Sequence, residues 1–166
     1  MNDDFAKIIS TLISGEVQFI LIGGLAGIVH GAARITYDVD VVYARSRDNI
    51  ANLARTLQPF SPYLRGAPPG LPFRWDERTI KNGLNFTLTT SIGDIDFLGE
   101  VAGGGTYEAL LSKSSFIDGY GVRFRCIDLP TLIRIKRAAG RPKDFEAISE
   151  LELLLSEGKP TRQNKN

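Results

Sequence analysis

Two short stretches of this chain alternate carboxylate and apolar residues: Asp38-Val39-Asp40-Val41-Val42 and, after Gly93, Asp94-Ile95-Asp96-Phe97-Leu98. In a β-strand, residues two apart share a face, so each stretch specifies a strand with aspartates on one side and apolar residues on the other. The Cα atoms of such a pair lie roughly 6.6 Å apart at a rise of about 3.3 Å per residue. Carboxylates this close repel, and each raises the other's pKa unless a cation sits between them. Magnesium favours a few carboxylates together with substrate phosphates. A two-metal site needs ions about 3.5–4 Å apart, which such a pair can bridge. Asp38 and Asp40 are therefore candidate metal ligands. A neighbouring strand would bring Asp96 as the third, with Asp94 further out towards the turn. The competing reading is that both pairs mark solvated faces.

What precedes the first pair bears on the choice. Val17 to Ile22 is a short apolar strand, Gly23-Gly24 breaks it, and Leu25 to Ala33 reads as a helix rich in small residues. Glycines let a backbone approach a phosphate closely, and a helix N-terminus favours anions. The Gly-Lys-Ser/Thr of a P-loop does not follow, and the stretch is not G-x-G-x-x-G.

The remaining pattern alternates helix and strand, which favours a mixed α/β (α+β) fold with helices flanking a mixed sheet. A helix starts at Asp3 or Asp4 and ends at Gly15, and Ser46 can cap another with Ile50, Leu53, Ala54 and Leu57 on its inner face. Residues 59–72 hold five of the eight prolines and read as a loop, mobile or draped over the surface. Strands are expected at Leu84 to Thr90, Asp94 to Leu98 and Val122 to Ile127. A helical turn or two follows Tyr107, and Asp118-Gly119 marks a tight hairpin turn. Asp128 caps a helix running to Gly140, and Pro142 starts a last helix to about Leu155. We expect one domain over 1–155 and a disordered tail over 156–166.

Composition closes off several chemistries. The charge is balanced, 20 basic residues against 19 acidic, so any RNA contact must be a local patch. One cysteine, Cys126, excludes an intrachain disulfide, and with a single histidine a zinc enzyme is nearly excluded. His30 is expected to pack or cap the short helix. Tyr37 and Trp75 are expected as core or loop anchors, and Asp144 as a cap or pair near the last helix's N-terminus. The acidic start does not read as a signal peptide, and no apolar run approaches the ~18 residues that span a bilayer. A soluble, cytoplasmic protein with no membrane contact is expected.

The order of these pieces resembles the minimal nucleotidyltransferase superfamily, the DNA polymerase beta-like fold. That pattern is an apolar strand, Gly-Gly or Gly-Ser, a short helix and Asp-x-Asp on the next strand. Here it runs from Phe19 through Gly23-Gly24 to Asp38-Val39-Asp40, with thirteen residues, 25 to 37, between Gly24 and Asp38. The nearer likeness is to the bacterial branch that includes the AbiEii-type toxins of abortive-infection systems. That branch carries a Gly-Gly-x-Ala start, an Arg-x-Thr/Ser-x-Asp-x-Asp run and a later basic motif. Arg34, Thr36, Asp38 and Asp40 match the run, and residues 128 to 144, with Arg134, Lys136, Arg137, Arg141 and Lys143, resemble the basic segment.

The resemblance covers about residues 17 to 152. It implies Mg2+ held by Asp38, Asp40 and Asp96, and an NTP contacting Gly23, Gly24, Arg34, Thr36 and Lys136. It implies transfer of an NMP to a hydroxyl on an RNA such as a tRNA end, a protein or a small molecule, in a toxin-antitoxin or abortive-infection setting. Arg34 could alternatively pair with a neighbouring carboxylate. Full-length toxins carry a substantial extra C-terminal region where this chain has one helix and a tail, so the expectation is that an acceptor-binding half is missing, supplied by a partner protein, or unnecessary. A non-catalytic nucleotide-binding or antitoxin module of the same fold is the alternative.

Overall fold

The computed structural model describes residues 3–158, with the side chain of Asp3 left aside. Nine strands occur among these residues: β1 (Phe19–Ile22), β2 (Asp38–Tyr43), β3 (Tyr63–Leu64), β4 (Asn85–Thr90), β5 (Gly93–Leu98), β6 (Glu100–Val101), β7 (Gly105–Thr106), β8 (Ser114–Gly119) and β9 (Val122–Ile127). Seven α-helices accompany them: α1 (Asp3–Ser14), α2 (Gly23–Val29), α3 (Arg47–Leu57), α4 (Glu77–Asn82), α5 (Tyr107–Leu110), α6 (Leu129–Ala139) and α7 (Pro142–Glu157). Seven strands form one mixed sheet in the order β3-β4-β5-β2-β1-β9-β8, and β6 and β7 make a separate small hairpin. The expected mixed α/β architecture is the one observed.

The middle of the sheet is its most buried part. β1 pairs antiparallel with β2 and parallel with β9, and β2 pairs parallel with β5. All four residues of β1 are buried, as are Val39 and Val41 of β2 and Ile95 and Phe97 of β5. α1 packs against β2, β5 and β9. Its apolar stripe, Phe5, Ile8, Ile9 and Leu12, is buried there, which is what a helical repeat beside an apolar sheet face requires. α3 packs on α1 and α4, while α2 packs on β1, β2 and α6, and α6 on α7. Capping follows the sequence signals. Ser46 accepts a bond from the Asn49 amide at 3.3 Å, and Asp128 from the Thr131 amide at 2.8 Å.

Several expectations need correction. The hairpin between β8 and β9 turns at Tyr120-Gly121, both with positive φ, and Asp118-Gly119 lies inside β8. Two consecutive left-handed residues match the strand twist, which favours that site for the turn. Helix α4 was not expected, although its Asp76 cap, accepting from the Thr79 amide at 2.8 Å, was a legible signal. Residues 59–72 are not merely draped over the surface. They begin within a 3-10 turn, Gln58–Phe60, and include the edge strand β3, and the Arg65 amide donates to the Thr87 carbonyl at 3.0 Å. Trp75 is a core anchor at 5% exposure, but Tyr37, at 82%, anchors nothing. α7 runs through Glu157, past the expected end at Leu155, and residues 159–166 of the expected tail lie outside the described residues. Among the described residues no helix is long and apolar enough to cross a membrane.

One buried polar residue ties the far ends of β1 and β2 together. Asn49, 2% exposed, accepts the Gln18 amide at 2.6 Å and donates to the carbonyls of Gln18 at 3.0 Å and Ala44 at 2.7 Å. Asn49→Ala strands the Gln18 amide and the Ala44 carbonyl, each worth about 1–3 kcal/mol if left unpaired, while the Gln18 carbonyl keeps the Ala44 amide at 3.1 Å. Urea denaturation is expected to show a loss of about 2–4 kcal/mol for this variant. A loss below about 1 kcal/mol would contradict that role for Asn49.

Candidate active site

The parallel pairing of β2 and β5 is in register aspartate to aspartate: Asp38 lies opposite Asp94 and Asp40 opposite Asp96, while Val39 meets Ile95 and Val41 meets Phe97. Neighbouring strands stand about 4.8 Å apart. Four carboxylates therefore form an array on one face, with the apolar residues of both strands buried behind it. Carboxylate oxygens of Asp38, Asp40 and Asp96 lie within 4.8 Å of one another. Asp94 sits in the outer row, as expected.

The two glycines make room for neighbouring polar side chains. Gly23 has φ of +70°, and a Cβ there would collide with the Asp40 carboxylate. A Cβ on Gly24 would lie 2.8 Å from the Thr36 hydroxyl. The missing side chains thus make room for the protein's own polar groups, with both glycines still lining the cleft described below. Thr36 in turn makes long contacts to Asp38, 3.4 Å to its carbonyl and 3.5 Å to Oδ1.

Cations surround the array. Lys136, on α6, is partly buried near Asp40, and burial pulls its ammonium below the ordinary value while the charges of Asp144 and Asp40 oppose that. Arg141, at the start of α7, grips the buried Asp144 with Nε to Oδ2 at 2.8 Å and Nη2 to Oδ1 at 3.2 Å. Burial acts to raise the Asp144 carboxyl, but the bond and charge of Arg141 outweigh it and hold it below the usual range. Asp144 thus pairs at the helix start as expected. Arg34 reaches Glu146 at 3.6 Å and Glu150 at 3.4 Å, which pins the segment before β2 to α7, and it also borders the cleft. His30 caps the end of α2, with its Nε2 2.7 Å from the Ile127 carbonyl.

The residue that sequence reasoning missed is Arg65. Its guanidinium lies 2.9 Å from Asp96, 3.3 Å from Asp94 and 3.5 Å from Asp38, and its Nη2 donates to the Leu88 carbonyl at 2.7 Å. Register explains its aim: beside it across the sheet lie Thr87, Asp96, Asp40 and Ile22, a single row on one face. Nothing in a proline-rich stretch signals that placement.

Two clefts meet at the carboxylates. One, of about 300 Å³, is lined by Gly23, Gly24, Thr36, Lys136, Arg141 and Lys143 with Asp38, Asp40 and Asp96 at its side; Ile35, 80% exposed, stands at its rim. The other, of about 240 Å³, shares Gly23, Asp40, Asp96, Lys136 and Arg141 but is otherwise apolar, with Ile22, Leu98, Val101, Leu132 and Ile135 in its wall. The β6–β7 hairpin closes that wall, held on α6 by Arg134 Nε donating to the Gly103 carbonyl at 2.6 Å. A larger basic hollow near Arg47, Arg78 and Lys81 lacks the carboxylates.

The residues fit a divalent cation. Asp96 Oδ1 is buried and accepts no well-formed hydrogen bond. Burial, then the charges of Asp38 and Asp96, push the Asp40 carboxyl up to about 8, against its ordinary 3.8. Oxygen donors crowded at this spacing are those a hard cation takes.

The Asp40 shift has a consequence for stability. Between its ordinary and its raised value, the folded protein holds a proton that the unfolded chain has released, so stability falls as pH rises towards 8. In chelator, the melting temperature is expected to carry this loss between about pH 5 and about pH 8. Asp40→Asn, which mimics the protonated carboxyl, is expected to flatten that decline and to melt higher at the upper end. Calorimetry showing the same slope in wild type and Asp40→Asn would contradict the assignment.

No family model matches the chain, and no curated protein matches it in sequence. Solved structures match in fold. The lincosamide antibiotic adenylyltransferase LnuA, in its lincomycin-bound form, aligns with a TM-score of 0.61 over 93% of this chain and 98% of its own, at 12% identity. TM1012 from Thermotoga maritima, provisionally assigned as a nucleotidyltransferase, aligns at 0.52 over 92% of this chain and 91% of its own, at 16% identity. The chain has a nucleotidyltransferase-like fold.

Proposed function

We propose that this chain transfers a nucleoside monophosphate from an NTP to a hydroxyl group, using Mg2+ held by Asp38, Asp40 and Asp96. The observation that carries the reading is the aspartate-on-aspartate register of β2 and β5, which gathers these oxygens at the mouth of a cation-lined cleft. The fold shared with an adenylyltransferase supports the same chemistry.

In this reading the triphosphate lies in the polar cleft against Gly23 and Gly24. Lys136, Arg141 and Lys143 spread over its charge, with Arg34 and Thr36 at the wall. Mg2+ bound at the carboxylates would neutralise charge on the reacting phosphate and lower the pKa of an attacking hydroxyl. Asp96 orients the acceptor hydroxyl and takes its proton. A bond forms from that oxygen to the α-phosphorus, the bond to the β-phosphate oxygen breaks, and pyrophosphate leaves. Positioning and charge neutralisation do most of the work.

In-line displacement requires the attacking oxygen opposite the leaving pyrophosphate. With the triphosphate in the polar cleft, the acceptor enters from the apolar one. Its size and wall suit a compact molecule with an apolar body and a hydroxyl, not a nucleic-acid backbone. The lincomycin-bound neighbour makes the same class attractive. The match of Arg34, Thr36, Asp38 and Asp40 to the AbiEii-type run supports a second reading, a toxin that modifies a tRNA end or a protein with help from a partner protein.

Incubation with each α-labelled NTP, Mg2+, and either a library of hydroxylated small molecules or whole lysate separates these readings by what becomes labelled. Pyrophosphate release with a labelled small product is expected. NTP binding with no pyrophosphate under any condition would sink the enzyme reading in favour of a binding module. Asp38→Ala is expected to lose at least about 10³-fold in turnover with its circular dichroism unchanged. Ala102→Trp, in the apolar wall, is expected to raise the acceptor KM several-fold and leave NTP affinity intact; a change confined to NTP affinity would reverse the assignment of the clefts.

A further inference from the structure

Arg65 lies against three of the four carboxylates of the array, and its approach is electrostatic more than directional. Although its Nε is 3.3 Å from Asp94 and its Nη2 2.9 Å from Asp96 Oδ1, neither Nε nor Asp96 Oδ1 completes a well-aligned hydrogen bond. The well-formed bond from the guanidinium goes to the Leu88 carbonyl, and the contact to Asp38 is long at 3.5 Å. The backbone of Arg65 is fixed on β4 through the Thr87 carbonyl, so the side chain can leave while the strand stays. Beside it, Gly66 has open space around it.

The cluster that Arg65 touches is the one that fits a metal ion. Asp38 and Asp96 belong to both sets of contacts. A guanidinium and a divalent ion on the same carboxylate oxygens would place like charges within a few ångströms in a half-buried site, where screening by water is weak. The two cations therefore exclude one another. We infer that Arg65 is the built-in counter-cation of this carboxylate cluster, and that a divalent metal ion binds by displacing it, so that Arg65 sets the metal affinity of the site. Arg65 acts through the carboxylates and is a positioning residue, not a catalytic one. The inference rests on reading Asp38, Asp40 and Asp96 as metal ligands.

Mn2+ titration of the full chain without nucleotide, followed by the electron paramagnetic resonance of the free ion, tests it without reference to activity. Wild type, Arg65→Met and Arg65→Lys are compared. Arg65→Met is expected to bind Mn2+ at least tenfold more tightly than wild type, to melt lower in chelator, and to gain more melting temperature from Mn2+. Arg65→Lys, which keeps the charge, is expected to bind within about threefold of wild type, as a compact charge on a flexible four-carbon stem retains most of the competition. If Arg65→Met binds Mn2+ equally or more weakly while wild type binds it, the guanidinium buttresses the ligands and the inference falls, with the metal site intact. If neither protein binds Mn2+, both the inference and the metal reading fall. Should Arg65→Met not fold, a resonance of the wild type decides. Its Arg65 Nε–H resonance, assigned by its loss in Arg65→Lys, must shift or broaden as Mg2+ is added. An unmoved resonance at saturating Mg2+ overturns displacement.

Discussion

Parallel pairing of β2 with β5 in one particular register places Asp38 beside Asp94 and Asp40 beside Asp96. A slip of one residue would turn one strand's aspartates into the core and its valines or aromatic outward, so the buried faces of Val39, Val41, Ile95 and Phe97 hold the register. Four like charges on one face are then unavoidable. Much of what surrounds them compensates. Lys136 sits beside Asp40, Arg65 reaches from just after β3 to Asp96, Asp94 and Asp38, and Gly23 leaves the room that the Asp40 carboxylate needs. Even so, Asp40 retains its proton into neutral pH in the absence of further positive charge.

That residual imbalance is what makes the array useful. A site fully neutralised by its own side chains would have little affinity for a cation, whereas an uncompensated one would weaken the fold. Here the compensation comes from a long, rotatable side chain on an edge strand, and from a lysine shared with Asp144 and the cleft. A polar cleft and a largely apolar one share Asp40 and Asp96.

How much of this could be read from the chain depends on the range of the interaction. The alternation in residues 38–42 and 94–98 specified two strands and the faces of their aspartates, and local caps such as Ser46 and Asp128 fixed helix starts. Pairing is different. Nothing local states that β5 lies parallel to β2 in that register, so Asp96 could be named a third ligand only by supposing the strands adjacent. Arg65 was beyond reach because its aim depends on a two-residue edge strand inside a proline-rich stretch. The glycines were legible as a close-approach turn, but not that Asp40 and Thr36 are the side chains for which they leave room. Asp118-Gly119 misled because a common turn dipeptide was outcompeted by Tyr120-Gly121 two residues on. Tyr37 was expected as a core or loop anchor from its type alone, yet its place between the Arg34 ion pairs and β2 leaves it in solvent.

We propose that Asp38, Asp40 and Asp96 form one metal site serving a bound NTP. Crystals grown with Mn2+ and a non-hydrolysable NTP analogue test it most directly through the anomalous signal of the ion. An anomalous peak is expected within coordination distance of all three carboxylates, with the triphosphate running towards Gly23, Gly24 and Lys136. Density for the analogue elsewhere, or a peak that none of the three aspartates touches, would contradict it.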